Sequence, residues 1–347
     1  MSQRPKRHHY VPEFHLAAFT EAGTPNGRLW VYDLARVRQW GPCRPREVAF
    51  QRDFNRVDEL KDPDAYEKGF ALVESTIAPA FRGVIFNESL PSWGQEFVDL
   101  LNLVALAMIR SPRTREMLEA SQVALAYRTA EGMLETPEKW SEIRAKMEAA
   151  GEKPAEVSYE EMRAFALDRS RSYVEVGKGS LLNLSVELTD MILPELLARH
   201  WGIGIAPDDS PGFVCSDQPV SLEWMHRRSN GMIPGFRHAG TMAIFPLGRR
   251  IVLLGTRERI RKKVLLSHER VAWINTCTIE ASQGQVFVGQ QEFDWLDQEG
   301  AIRPAQALLA MQVIRATRPG KWEPPVDERG AIGAQLPYGV KAGWTVY

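Results

Sequence analysis

The spacing of apolar and polar positions changes twice along the 347 residues. From about residue 28 to 50, "GRLWVYDLARVRQWGPCRPREVAF" alternates through Leu29, Val31 and Leu34, with β-type residues on both sides of a polar centre. This period of two predicts an antiparallel hairpin, with "DFNRV" as a further short strand. Ahead of it, in "KRHHYVPEFHLAAF" (residues 6–19), Pro12 opens a short helix just after two adjacent histidines. From residue 63 the period becomes helical, over 63–87, 94–110, 113–135, 137–150, 158–172 and 179–200, punctuated by Pro91, Pro112, Pro137, Pro154 and Gly177. Short β-rich runs return at 201–206, 212–222, 241–247 and 250–255, followed by a helix over 267–282 and the strand "QVFVGQ".

This order predicts an α+β fold. The N-terminal hairpin region (1–62) and the β-rich region (201–300) share a sheet, packed against a mainly helical middle (63–200). Residues 1–300 are expected to form a single domain, and the Pro- and Gly-rich stretch 301–347 to be a partly irregular C-terminal extension.

Composition narrows the function classes. At 44% hydrophobic and 25% charged the chain has an ordinary globular make-up. Lys plus Arg (43) nearly cancel Asp plus Glu (44), so net charge gives no support to a nucleic-acid partner. Nucleic acid would need a local patch, such as Arg4, Lys6 and Arg7, or the basic run 249–263. Cys43, Cys215 and Cys277 are too scattered for a zinc ribbon or a disulfide framework, which fits a reducing cytoplasm. The longest apolar run, "LVALAMI" at 103–109, is far short of the roughly 20 residues of a membrane span, so no membrane partner is expected. There is no Gly-rich phosphate loop, no G-x-S-x-G and no H-E-x-x-H. The cofactor is therefore unknown, with a divalent metal left open.

The candidate chemistry lies in polar residues at positions expected to be apolar. At about 100° per residue, Glu67 and Glu74 share one helix stripe with Phe70, Val73, Ile77 and Ala78. A buried carboxylate must be paired, protonated or metal-bound, so these acids are either half of a scaffold salt bridge to arginines or part of a site. In the next helix Asp99, Asn102 and Arg110 occupy one sector of an otherwise apolar cylinder. Arg110 there either neutralises a glutamate through a bidentate pair or merely caps the helix C-terminus. In "FVCSDQP", Asp217 follows Ser216 at the end of a β-run, where it is a third candidate acid or the centre of an Asx-turn. Asn275, among Val271, Ile274 and Ile279, needs hydrogen-bond partners wherever it lies.

His8 and His9 should point to opposite faces of extended backbone. One inward histidine near Glu67, Glu74 and Asp217 would supply metal ligands, or a base with its orienting acids; a histidine satisfied within the core is the plainer alternative.

Taken in order, "HHYVPEFHLAAF", "DFNRV", "EKGFALVESTIAPAF", "LLNLVALAMIRSPRTRE", "HWGIGIAP", "FVCSDQP", "FPLG" and "WINTCTIEAS" resemble the domain of unknown function 4238 family over about residues 8 to 290. Its His-Tyr-Val-Pro start is matched by His9, Tyr10, Val11 and Pro12, and its Ser-Asp-x-Pro turn by Ser216, Asp217 and Pro219. The resemblance implies no reaction. It selects positions, and it favours His9 as the inward histidine. Together these readings lead to a hydrolytic enzyme, with phosphodiesters, cut in a nuclease-like way, as its candidate substrates. His9, Asp217 and Glu74 are its expected catalytic groups, Arg110, Tyr10, Ser216 and Asn275 its substrate-binding groups, and His9, Glu67, Glu74 and Asp217 its candidate metal ligands. The competing expectation is a non-catalytic ligand- or partner-binding protein in which the same residues form a buried polar network.

Overall fold

The computed structural model describes residues 6–154, 156–225, 233–297 and 299–316. The chain forms two compact units, Met1–Ser111 with Leu188–Tyr347, and Pro112–Glu187. The first opens with β1 (Arg7–His9), α1 (Glu13–Ala17), β2 (Leu29–Asp33), β3 (Arg38–Cys43), β4 (Phe50–Arg52), α2 (Ala65–Asn87) and α3 (Gln95–Ile109). Then come α4 (Pro112–Met133), α5 (Pro137–Ala149), α6 (Tyr159–Leu167) and α7 (Lys178–Leu197), whose last turns return to the first unit. That unit continues with β5 (His200–Ile205), β6 (Cys215–Ser216), β7 (Ser221–Trp224), β8 (Thr241–Pro246), β9 (Ile251–Thr256), β10 (Lys263–Leu265), α8 (His268–Ala281), β11 (Gln285–Val288), β12 (Asp294–Leu296), β13 (Ile302–Pro304) and α9 (Ala305–Ala316).

The fold is α+β, and the expected shared sheet is present. The hairpin of β2 and β3 joins the C-terminal strands in the order β3-β2-β11-β6. Its turn is held by the buried Asp33 carboxylate, which accepts from Arg36 N and Arg36 Nη1, both at 3.1 Å. A five-stranded sheet, β10-β5-β9-β8-β7, lies beside it in sequence, and β1 and β4 form a separate two-stranded ribbon. In the five-stranded sheet Trp201 lies opposite Gly255, where an added Cβ would come within 2.6 Å of its ring. Glycine there leaves room for the indole.

Helix α3 is apolar nearly all round because it is buried nearly all round: Leu100, Leu101, Leu103, Val104 and Ala105 have no exposure. Helix α2 packs against it and buries Phe70, Ile77, Phe81 and Val84. Among the described helices α2 alone is long and apolar enough to cross a membrane by length and composition, and a third of its most apolar window is buried here. In the Pro112–Glu187 unit, Thr136 caps α5 ahead of Pro137 and Ser158 forms a capping box with Glu161 at α6.

One expectation is corrected. "DFNRV" is a turn rather than a strand, since Asp53 sits at φ 53°, which ends β4. Of the expected partly irregular extension, β13 and α9 are regular, and the remainder lies outside the described residues.

Asn275 pins these layers together from α8. Its Oδ1 accepts from Val214 N at 3.0 Å, and its Nδ2 donates to Gly212 O at 3.1 Å and Asp294 O at 2.9 Å. The side chain has no exposure, so each lost bond strands a buried backbone group. Asn275→Ala is expected to lower unfolding stability by about 2–4 kcal/mol, since a single stranded group costs about 1–3 kcal/mol. Urea unfolding of the two proteins measures it.

Candidate functional site

The β1–β4 ribbon sorts its residues by alternation. Arg7, His8 and His9 pair with Arg52, Gln51 and Phe50. Arg7, His9, Phe50 and Arg52 therefore share one face, and His8 lies on the other. Of the adjacent pair, His8 is fully buried, at 0% exposure, which corrects the expectation that His9 is the inward one. Its Nδ1 accepts from Asn55 N at 2.9 Å and lies 3.5 Å from Glu67 Oε2. Glu67 in turn accepts from Asn55 Nδ2 at 2.8 Å.

His9 faces a cavity of about 780 Å³ whose wall includes Arg7, Glu13, Phe14, Asp64, Glu67, Lys68, Ala71, Glu74 and Arg110. Asp64, the N-cap of α2, is followed within the helix by Glu67, Lys68, Ala71 and Glu74, a spacing of three and four that puts them on one face. Glu67 and Glu74 thus stand where the apolar stripe of α2 meets the cavity. Phe70, on the stripe, lies under Arg110, 4.9 Å from guanidinium to ring centroid.

Arg110 is at the C-cap of α3, buried to 3% exposure. One terminal nitrogen donates to Glu74 Oε1 and the other to the backbone oxygen of His9. The capping position and a glutamate partner are both realised, but the pair is not the bidentate one expected, because the second terminal nitrogen goes to the His9 carbonyl and leaves the guanidinium engaged. Asp99 does not join it, and instead accepts from Gln95 Nε2 at 2.8 Å on its own helix.

The His9 ring lies with Nδ1 3.5 Å from Glu13 Oε1. Burial, and then the nearby Arg110 charge, lower the His9 pKa to about 4. Burial, and then Glu74, push the Glu13 carboxyl upward. The Arg46 carbonyl favours a proton on the ring, although Nε2 has no hydrogen bond of normal geometry. Two groups of opposite charge type are thus brought together with their proton affinities driven towards each other, an arrangement suited to proton transfer.

The family profile described as protein of unknown function (DUF4238) matches residues 7–292. The chain belongs to the DUF4238 family. No curated protein and no solved structure gives a significant match.

The Ser-Asp-x-Pro turn of this DUF4238 protein stands apart from the cavity. Asp217 does not line it, contrary to the expected convergence with His9, Glu74 and Arg110. Its Oδ1 accepts from Gln283 N at 2.8 Å and its Oδ2 from Gln285 N at 2.9 Å, which fixes the entry to β11. Ser216 Oγ accepts from Gln218 N at 3.2 Å, and Tyr10 Oη donates to Gln285 Oε1 at 3.2 Å. Tyr10, Ser216 and Asn275 are all buried, and none lines the cavity. Among the described residues no three His, Cys, Asp or Glu side chains are grouped to hold a metal ion, so His9, Glu67, Glu74 and Asp217 do not form a ligand set.

Glu13, Lys68 and Asp64 were missed from the sequence, and Arg7 was noted only as part of a basic patch. Glu13 had a signal, since it lies four residues after His9 and opens α1 directly behind Pro12. His15 was also missed. It is wholly buried against Phe19, Phe81 and Phe245, with Nε2 2.8 Å from Pro246 O, and burial lowers its pKa to about 4.

These shifts oppose one another in pH. Burial raises Asp217 to about 6 against the pull of its backbone donors, so its protonated form is favoured by folding. That stability is present below its unfolded value near 3.8 and is lost as pH rises through about 6. His9 and His15 behave oppositely, contributing stability above about 6.5 that is lost as pH falls towards 4. Asp217→Asn removes the opposing carboxyl, so stability should climb more steeply with pH between about 4 and 6, by roughly 1–3 kcal/mol over that window. It should also lose one backbone bond, because an amide presents a donor where Asp217 presents its second acceptor. Denaturant unfolding of both proteins across that pH range is the measurement.

Proposed function

We propose that the cavity beside β1 is the functional site and that it carries out general acid–base hydrolysis. His9 Nδ1 is the base that takes a proton from water. Glu13, 3.5 Å away, steadies the imidazolium that results, which then returns the proton to the leaving group. Water thus supplies hydroxyl to one product and a proton to the other. The observation that supports this reading is the His9–Glu13 pair, with its converging proton affinities, on the wall of a cavity of about 780 Å³, within the size range of small-molecule sites.

Arg110 and Glu74 are assigned to positioning, because Arg110 holds the His9 carbonyl and the Glu74 carboxylate together. The non-catalytic reading keeps one specific support. Asp217, Asn275 and Ser216 have their polar atoms taken up by the backbone, as members of a structural network would. We assign those residues to the scaffold and the cavity residues to the chemistry. The buried thiols Cys43, Cys215 and Cys277 suit a reducing cytoplasm.

With a panel of ester, amide and phosphodiester substrates, His9→Asn and Glu13→Gln are expected to lower kcat/KM by roughly 100- to 10,000-fold while leaving circular dichroism unchanged. The acid limb of the wild-type profile should fall near pH 4, the lowered value of His9, instead of near 6.5. Arg110→Met should fail differently, by losing about 3–5 kcal/mol of stability, because it leaves Glu74 partly buried without its partner. Equal activity in wild type and His9→Asn would remove the hydrolytic reading.

A further inference from the structure

The ribbon carries an electrostatic conflict that the fold does not explain. Arg7 and Arg52 are directly opposed across β1 and β4, and both are exposed. Like charges placed so destabilise an antiparallel pair. Exposed Lys6 lies beside them, and exposed Arg46 is close enough for Arg7 Nη1 to donate to its carbonyl at 3.4 Å. Among the described residues no carboxylate forms an ion pair with Lys6, Arg7, Arg46 or Arg52. Elsewhere in this unit exposed cations do find acids, as with Lys68 and Asp62, or Lys263 and Glu88.

These cations also shape a hollow. Lys6, Arg7, Phe50 and Arg52 line a concavity of about 360 Å³, with the Arg7 guanidinium 4.8 Å over the Phe50 ring. Arg7 lines the larger cavity as well, so the hollow and the His9 cavity meet along one face of the ribbon. The two ends differ in character: guanidinium groups and an aromatic face with no carboxylate at the hollow, and the Glu13, Glu67 and Glu74 carboxylates interleaved with Lys68 and Arg110 within the cavity.

We propose that this face binds the phosphate of a nucleotide, free or within a single strand. Arginine forks match phosphate oxygens, and Phe50 offers a surface on which a base or sugar can lie. The amino and hydroxyl donors of a base and sugar suit the carboxylates beyond. An anion between Arg7 and Arg52 would also turn their repulsion into shared attraction. The inference rests on the cavity being the functional site, and it supplies the substrate class for that site.

The test is equilibrium binding at several salt concentrations, measured on the wild type and on His9→Asn so that turnover does not interfere. The probes are adenosine, adenosine monophosphate, short single-stranded DNA and RNA, and polyglutamate. Binding of the monophosphate or of a strand, but not of adenosine or polyglutamate, is expected. Tight binding of the monophosphate alone marks a free nucleotide as the ligand, and a steep salt dependence with strands marks a polymer. Arg7→Gln and Arg52→Gln should each weaken binding at least about tenfold. With strands, each should reduce the salt slope by about 0.7. Neither variant should lower the unfolding midpoint without ligand, because each relieves a like-charge pair. Absence of phosphate-dependent binding, equal binding of polyglutamate, or unchanged affinity in both variants overturns the proposal. If phosphate-dependent binding is found but no substrate is turned over, the hydrolytic reading falls and this one stands. If an uncharged ester is hydrolysed and both variants bind every probe as wild type does, the reverse holds.

Discussion

Arg110 donates to the Glu74 carboxylate and to the backbone oxygen of His9, a residue 101 positions earlier in the chain. A guanidinium at 3% exposure is tolerable only with such partners, because a buried charge without compensation is far less stable than a solvated one. The interaction ties three elements at one point: the end of α3, the middle of α2 and the strand β1. The strand has three residues and one pairing partner, too little to hold itself in place. The position of the His9 ring therefore depends on an ion pair formed by two helices, and the cavity wall depends on the same contact.

A second set of buried polar groups serves another centre. Asp217, Asn275 and Ser216 take up backbone donors and acceptors where β6, α8 and β11 meet, and Tyr10 links that centre to β1 through Gln285. Residue 9 thus faces the cavity while residue 10 reaches into the sheet region. The family motif His-Tyr-Val-Pro joins two structural roles within adjacent positions.

The long-range order was legible wherever period and length agreed. The β2–β3 hairpin, the helices of the middle and the β-rich return all carried enough repeats to declare a face. Strands β1, β10, β12 and β13 did not, since three residues contain barely one alternation. In the site, Arg110 and Glu74 could be paired from sequence because each interrupts an apolar stripe. Asp217 was singled out only by its place at the end of a β-run, and its partners are backbone amides far along the chain, which no side-chain pattern records. The choice between His8 and His9, made on the family resemblance, failed, and alternation alone separates two residues without saying which face is covered. Here the covering group is Asn55, which follows the Asp53 turn, at a position read as strand.

The pairing of β1 with β4 makes the two histidines complementary and not interchangeable. Lys6 O and Tyr10 N bond Asp53 N and Ala49 O at 3.0 and 2.9 Å, so the frame is fixed at both ends of the short ribbon. Substitutions here act on one surface at a time, but a slip of one residue would exchange the surfaces wholesale. Arg7 and His9 would turn into the interior, and His8 would emerge among the acids. Evolution can therefore vary the chemistry of this segment residue by residue, whereas it has almost no freedom to change its length.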